Sequence, residues 1–273
     1  MITSAHNSRL KLVRALLGRP KDRRQEGGFV AEGVRLVEEA LAAGWPFRFA
    51  LFSDGLGPRG RKLLSGLEQA GIAVEQVDAA LLDSISETET SQGIVAVLEH
   101  VVLPLPQDLD LVLIPDQVRD PGNLGTLLRS AWAAGVQAVL LPPETVDAYS
   151  PKVVRSGMGA HFHLPLHALG WEEIQARSSG LAVLLAEMDA GLPCWQADFR
   201  VPLALVIGGE AQGASAAARK LAGQSVFIPM PGGNESLNAA VAGSILLFEV
   251  VRQRTWQKPA LPEMTSARRN SQP

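Results

Sequence analysis

SVFIPMPGGNESLNAAVAGSILLFEVV, residues 225–251, runs from an apolar segment through a tight glycine turn into a helix poor in large side chains. Val226, Phe227 and Ile228 read as a short buried strand that Pro229 and Pro231 stop, because proline has no N–H to give a sheet ladder. Gly232 and Gly233 let the backbone turn sharply and approach a ligand. In an open α/β sheet, ligands bind beyond the carboxyl ends of strands, so chemistry is expected where this strand ends. The helix expected over 236–251 has Ala239, Ala240, Ala242, Gly243 and Ser244 on a nearly bare side, suited to close packing of another backbone, while Leu246, Leu247 and Val250 supply core. Taken alone, the stretch reads equally well as an ordinary buried helix after a strand.

Two stretches upstream share this design, an apolar strand entering a polar or glycine-rich turn: IPDQVRDPGNLGTLLRSAWAAG (114–135) and LVIGGEAQG (205–213). The runs 111–116, 138–141, 181–186 and 203–207 are continuously apolar, the pattern of strands buried on both faces of a parallel sheet. With a helix over 124–134, they describe a parallel α/β domain spanning 108–254, and three such turns can converge at one end of its sheet. Residues 28–99 alternate strand patterns (28–33, 47–52, 72–77, 93–99) with helical ones (34–43, 61–70, 80–85). A smaller α/β domain over 1–100, with helices on both faces of its sheet, is therefore expected. Residues 100–110 hold Pro104 and Pro106 without a helical period and read as a linker; the polar, proline-bearing 255–273 reads as a disordered tail.

The chain has 273 residues and a net charge of −3, but residues 1–24 carry seven basic side chains against Asp22 alone, a net of +6, which leaves −9 for the remainder. Leu10, Val13, Leu16 and Leu17 recur at helical spacing within that arm, so it is expected to be an amphipathic helix ended by Gly18 and Pro20. A basic arm on an acidic body suits a polyanion, since Lys and Arg contacts to phosphate release counterions. Arg9, Lys11, Arg14, Arg23 and Arg24 are the candidate RNA contacts, and a solvated helix face is the alternative. The single cysteine, Cys194, excludes an internal disulfide and reads as a small core residue. His161 and His163 would share a face if their segment were a strand, but no third ligand accompanies them, and no metal site is expected. No run of 18 apolar residues occurs and the start MITSAHNSRLKLVR has no leader pattern. A cytoplasmic protein without a membrane segment is expected.

In their residues and order, the three turn stretches resemble the signature motifs of the SpoU-type RNA 2′-O-ribose methyltransferases, a branch of the trefoil-knotted SPOUT class. Residues 29–98 resemble that family's N-terminal substrate-binding domain, which has the L30e ribosomal-protein fold. The resemblance implies a knotted, Rossmann-like parallel-sheet domain, S-adenosylmethionine as cofactor and a homodimer. Asn123, Arg129, Glu210, Ser236 and Asn238 match the family's catalytic residues. Gly208, Gly209, Glu210, Gly213, Ile228, Pro229, Met230, Leu237 and Asn238 match its cofactor segments. KVVRSGMGAHFHLPL (152–166) resembles the intervening segment, with Ser156 and Gly157 matching, whereas Asn234 stands where the family often has an apolar residue.

Each match also has a structural reading: Asn123 or Ser236 as a helix cap, Arg129 as a solvated side chain, Glu210 as the partner of Arg129 in a salt bridge. The guanidinium keeps its proton throughout the usable pH range, so Arg129 is a poor base. It is better suited to binding the phosphate beside the target ribose bidentately, with Asn123, Ser236 and Asn238 orienting the ribose and proton loss assisted by solvent or Glu210. A nicotinamide-binding enzyme is disfavoured because no strand is followed by G-x-G-x-x-G. Ribosomal RNA is the expected substrate; a transfer-RNA methyltransferase or a non-catalytic ribosome-assembly protein on the same fold is the alternative.

Overall fold

The computed structural model describes residues 1–86, 92–210, 213–233 and 235–255. Its N-terminal part runs α1 (Ser8–Leu17), α2 (Pro20–Glu26), β1 (Gly28–Glu32), α3 (Val34–Ala42), β2 (Phe47–Phe52), α4 (Pro58–Gln69), β3 (Val74–Gln76), α5 (Ala79–Asp83) and β4 (Ile94–Glu99). The sheet order is β1-β4-β2-β3, antiparallel except for the parallel pair β2/β3. Successive strand side chains point to opposite faces, so two cores form. Phe29, Ala31, Ile94, Ala96 and Leu98 meet α3 and α4 on one face, and Val30, Phe49, Leu51, Val95 and Val97 meet α1 and α5 on the other.

That second core changes the meaning of the basic arm. Leu10, Val13 and Leu16 are fully buried, so α1 is a layer of the fold and not an appendage. Pro20 opens α2, at a position where its missing N–H is harmless. Arg23, expected to contact RNA, is 4% exposed. Its Nε and Nη2 both point at Asp147 Oδ2, at 2.8 and 2.7 Å, and its Nη1 donates to the carbonyl oxygens of Leu16 and Gly18. Desolvating a guanidinium requires such partners, and these consume it; Arg23 pins α1 and α2 to the C-terminal part instead of offering charge to a polyanion. Arg9 is partly engaged, paired with Glu75 and lying over the Phe49 ring at 5.0 Å. Lys11, Arg14 and Arg24 remain on the surface.

The C-terminal part runs β5 (Leu111–Asp116), α6 (Pro121–Ala133), β6 (Ala138–Leu141), α7 (Pro151–Gly157), a 3-10 turn (Ala160–Phe162), β7 (Leu166–Ala168), α8 (Trp171–Arg177), β8 (Ala182–Ala186), β9 (Leu192–Pro193), a second 3-10 turn (Cys194–Gln196), β10 (Leu203–Gly208), α9 (Ala216–Leu221), β11 (Gln224–Phe227) and α10 (Ala239–Thr255). Seven parallel strands lie in the order β7-β6-β5-β10-β8-β11-β9. α6, α7 and α10 cover one face, α8 and α9 the other. From β11, next to the edge, the chain returns to the middle of the sheet, where Gly243 of α10 meets the side chains of Leu127 and Ile207. The bare side of that helix therefore receives side chains, not a backbone. Threaded connections are rare, and this return of the chain from β11 to α10 is the crossing that the expected knot requires.

Several boundaries move. β11 stops at Phe227, leaving Ile228 outside the ladder, and α10 begins at Ala239, three residues later than expected, and extends to Thr255. The expected linker is packed: Val101 and Leu103 rest on the α3/α4 core of the N-terminal sheet, and Leu105 and Leu109 on the α8/α9 face of the C-terminal sheet. His167 Nε2 donates to the Leu103 carbonyl at 2.9 Å. Phe162 and Tyr149 meet Phe29 and Trp45 across the junction, with ring centroids 5.1–6.4 Å apart. His161 and His163 sit on a turn and not a strand: His161 is buried with Nε2 donating to Ala148 O at 2.7 Å, while His163 is exposed. No group of three potential metal ligands occurs among the described residues. Cys194 is buried and free, and burial raises its thiol pKa. Asn234 and the expected tail from 256 onward lie outside the described residues.

Candidate active site

Three loops meet at the carboxyl end of the C-terminal sheet. After β5 the chain makes a left-handed step at Gln117 (φ 54°), an uncommon conformation for a residue with a side chain. Asp120 then caps α6, accepting from Asn123 N at 2.9 Å. Because the cap is Asp120, the Asn123 side chain is released from the local role its position allowed. Its Nδ2 donates to Glu210 Oε1 at 2.5 Å, and its Oδ1 accepts from Asn238 Nδ2 at 2.8 Å. Asn238 Oδ1 in turn accepts from Ala240 N at 2.9 Å and Val241 N at 3.2 Å, making Asn238 the cap of α10 in place of Ser236.

The polarity of this chain of bonds is forced at both ends. A carboxylate only accepts and a backbone N–H only donates, so each asparagine amide has one permitted orientation. Glu210, Asn123 and Asn238, one from each stretch, thereby form a single directed relay ending on a helix N-terminus. Glu210 does not pair with Arg129.

Glycine geometry fixes the second loop. A Cβ on Gly208 would stand 2.7 Å from Ala214 N, and one on Gly209 would collide with the Gln117 carbonyl. The close approach that these glycines permit is of the protein to itself: Gly208 lies against Ala214, and Gly209, bridged to Gly213, lies against the left-handed Gln117 turn. Asp116, fully buried, supports this loop by accepting from Ser215 N at 2.6 Å.

These loops enclose a cavity of about 650 Å³. Ile207, Ile228, Met230, Leu237 and Leu246 give it apolar walls, while Glu187, Glu210 and Glu235 bring carboxylates. Apolar surfaces suit a purine, and carboxylates suit the cationic ammonium and sulfonium of S-adenosylmethionine, so the residues present fit that cofactor.

Gly208, Gly209, Glu210, Gly213, Ile228, Met230, Ser236, Leu237 and Asn238 all line the cavity; Pro229 lies within the same segment but is not part of the wall. Asn123 closes its rim through Glu210 and Asn238. Arg129 is not brought there: it is exposed on α6, six residues beyond Asn123, and makes no hydrogen bond or ion pair among the described residues. Ser156 and Gly157 stand apart from the cavity and pack α7 against its neighbours, Ser156 under Gly125 of α6 and Gly157 against His161. Sequence reasoning missed Glu187, which pairs with Arg219 and accepts from Ser225 Oγ at 3.0 Å, both Glu187 and Arg219 lying in the wall. The signal was available, because Glu187 directly follows an apolar strand run as Asp116 does.

Comparison with known proteins gives one result across most of the chain. Residues 110–248 match the SpoU rRNA Methylase family, and residues 7–96 match the MRM3-like substrate binding domain. The chain is 34% identical over 251 residues to the 23S rRNA (guanosine(2553)-2′-O)-methyltransferase of Bacillus subtilis, covering 91% of this chain and 98% of that one. It is 35% identical over 268 residues to the 23S rRNA (uridine(2479)-2′-O)-methyltransferase of Streptomyces viridochromogenes, covering 92% of each. The AdoMet-bound rRNA methyltransferase from Sinorhizobium meliloti superposes with a TM-score of 0.80 at 32% identity, over 92% of this chain and 97% of that one. The fold, the three converging loops and these matches agree: the chain belongs to the SpoU rRNA methylase family.

Proposed function

We infer that the protein transfers a methyl group from S-adenosylmethionine to a ribose 2′-hydroxyl of ribosomal RNA. The observation that carries this reading is the Glu210, Asn123, Asn238 relay, which ties all three signature loops to one cavity edge where cofactor and ribose can meet. The cofactor supplies an electrophilic methyl on a sulfonium centre. The chain's own contribution is alignment and charge, the two means by which positioning and preorganised dipoles lower a transfer barrier. In this reading the backbone of 228–230 and Leu237 hold the adenine, and Asn123, Ser236 and Asn238 orient the ribose. Glu210, already bound on one oxygen by Asn123, has its other oxygen to draw on the departing proton.

Arg129, charged and uncommitted, is assigned to the phosphate beside the target ribose, with Lys11, Arg14 and Arg24 contributing longer-range attraction. Val241, Ile245 and Phe248, spaced along one side of α10 and 41–49% exposed, are the surface through which we propose that two copies pair. The cytoplasm is the compartment this reading assigns. Mapping ribose methylation in total RNA by resistance to alkaline cleavage, with and without the gene, tests it: one ribosomal nucleotide should lose resistance when the gene is absent. An unchanged map contradicts the reading.

A further inference from the structure

The outer surface of α6 carries an aromatic pair that the methyl-transfer machinery leaves unused. Trp132 is 37% exposed, and its indole lies on the imidazole of the exposed His163 with centroids 4.3 Å apart and planes within 5°. The direction of Trp132 follows from its neighbours on the helix. Leu127 and Ser130 face α10, where they meet Gly243 and Ser244; Leu124, Leu128 and Ala131 face the core; Gly125 faces α7 through Val153 and Ser156. At about 100° per residue Trp132 falls beside Gly125, on the α7 flank and away from the exposed apolar side of α10. Arg129 lies one turn back and about 60° round, between Trp132 and open solvent. On the other side, His163 follows Phe162, which packs against Phe29 and Trp45 of the N-terminal core. The stack thus stands between an uncommitted cation and the junction of the two parts of the chain.

A flat aromatic surface one turn from a free guanidinium matches the chemistry of an unpaired nucleotide, whose base stacks while its phosphate accepts from arginine. We propose that the Trp132–His163 stack is a platform for an unpaired base of the RNA substrate, the base lying on the indole while Arg129 holds a neighbouring phosphate. The proposal rests on the RNA-methylating reading above and adds to it the form of RNA that is recognised. The imidazole backs the indole and fixes its plane, so that little side-chain freedom is lost when a base arrives.

The test measures binding of the full chain, with S-adenosylmethionine present, to a labelled oligoadenylate of about twelve nucleotides and to the corresponding adenylate·uridylate duplex. Trp132→Ala should weaken single-strand binding about fivefold or more while leaving its salt dependence unchanged, because stacking releases no counterions. Trp132→Phe should restore most of the loss. His163→Ala should weaken it in the same direction and serves as the second probe should Trp132→Ala fold poorly. Duplex binding, cofactor affinity and sedimentation should not change. Single-strand affinity equal to the parent's in Trp132→Ala, or in His163→Ala when the former is unfolded, overturns the platform, as does equal loss on single strand and duplex. A parent that methylates ribosomal RNA yet ignores the oligoadenylate overturns the platform alone. A parent that does neither removes the ribose-methylation reading as well.

Discussion

A valine at position 209 would drive its side chain into the Gln117 carbonyl, and neither backbone can yield, since Gln117 is already held in a left-handed conformation and Gly209 is bridged to Gly213. Gly209→Val should therefore displace the 208–214 loop and reduce S-adenosylmethionine affinity about tenfold or more, backbone strain of this kind being worth about 1–3 kcal/mol. Calorimetry returning the parent affinity would show that the loop is not part of the cofactor site. At Arg129 the outcome depends on whether the guanidinium binds or reacts. As a phosphate clamp, Arg129→Lys keeps charge but loses the two-pronged donor, so activity should fall partially and RNA affinity with it, and Arg129→Ala should lose more of both. Cofactor binding should be intact in either variant, because Arg129 lies outside the cavity wall. An alanine variant that binds RNA like the parent while single-turnover methylation collapses would place Arg129 in the chemical step.

Elements show which parts of a sequence speak for themselves. β5, β6, β8, β10 and β11 of the C-terminal sheet were legible as apolar runs, whereas the short edge strands β7 and β9 were not, and the three turns after β5, β10 and β11 were legible as glycine and polar clusters; their shared location follows from parallel strands ending on one side. The cap of α10 was not legible. Ser236 and Asn238 are both good caps, and only the tertiary position of Asn123 selects Asn238. Nor was the fate of Arg23, because a basic residue among basic residues reads as solvated until Asp147, 124 positions away, is folded against it. α7, β7, α8 and α9 are short and lack strong periodicity, and long-range packing decides them. The 3-10 turn at Ala160–Phe162 makes a prediction from burial alone. His161 is fully buried with Nδ1 unpartnered among the described residues, and burial lowers its pKa from 6.5 to about 4. Between those values the unfolded chain takes up a proton that the folded chain refuses, so stability is complete above about pH 6.5 and falls as pH drops toward 4, by up to about 3 kcal/mol. His161→Gln, which keeps a donor for the Ala148 carbonyl, should flatten that part of the profile in denaturant titrations. An unchanged slope relative to the parent would mean that His161 is hydrated in solution.

At the scale of the whole molecule, the packed linker, the aromatic junction around Tyr149 and the Arg23–Asp147 pair hold the N-terminal part against the C-terminal part that carries the cavity. Pairing of two copies would cover Val241, Ile245 and Phe248. Ile245→Glu places a charge in that contact and should convert a dimer to a monomer in sedimentation, whereas an unchanged sedimentation coefficient would locate the contact elsewhere or dismiss it. The central claim is the reaction itself. Purified protein, S-adenosylmethionine labelled in its methyl group and unmodified 23S ribosomal RNA are incubated, the RNA is digested to nucleosides, and the label is located. The account predicts label in one 2′-O-methylnucleoside, abolished by Asn123→Ala and absent when the substrate RNA carries 2′-deoxyribose at that nucleotide. Label on a base, or no incorporation by a protein that binds both cofactor and RNA, would contradict it.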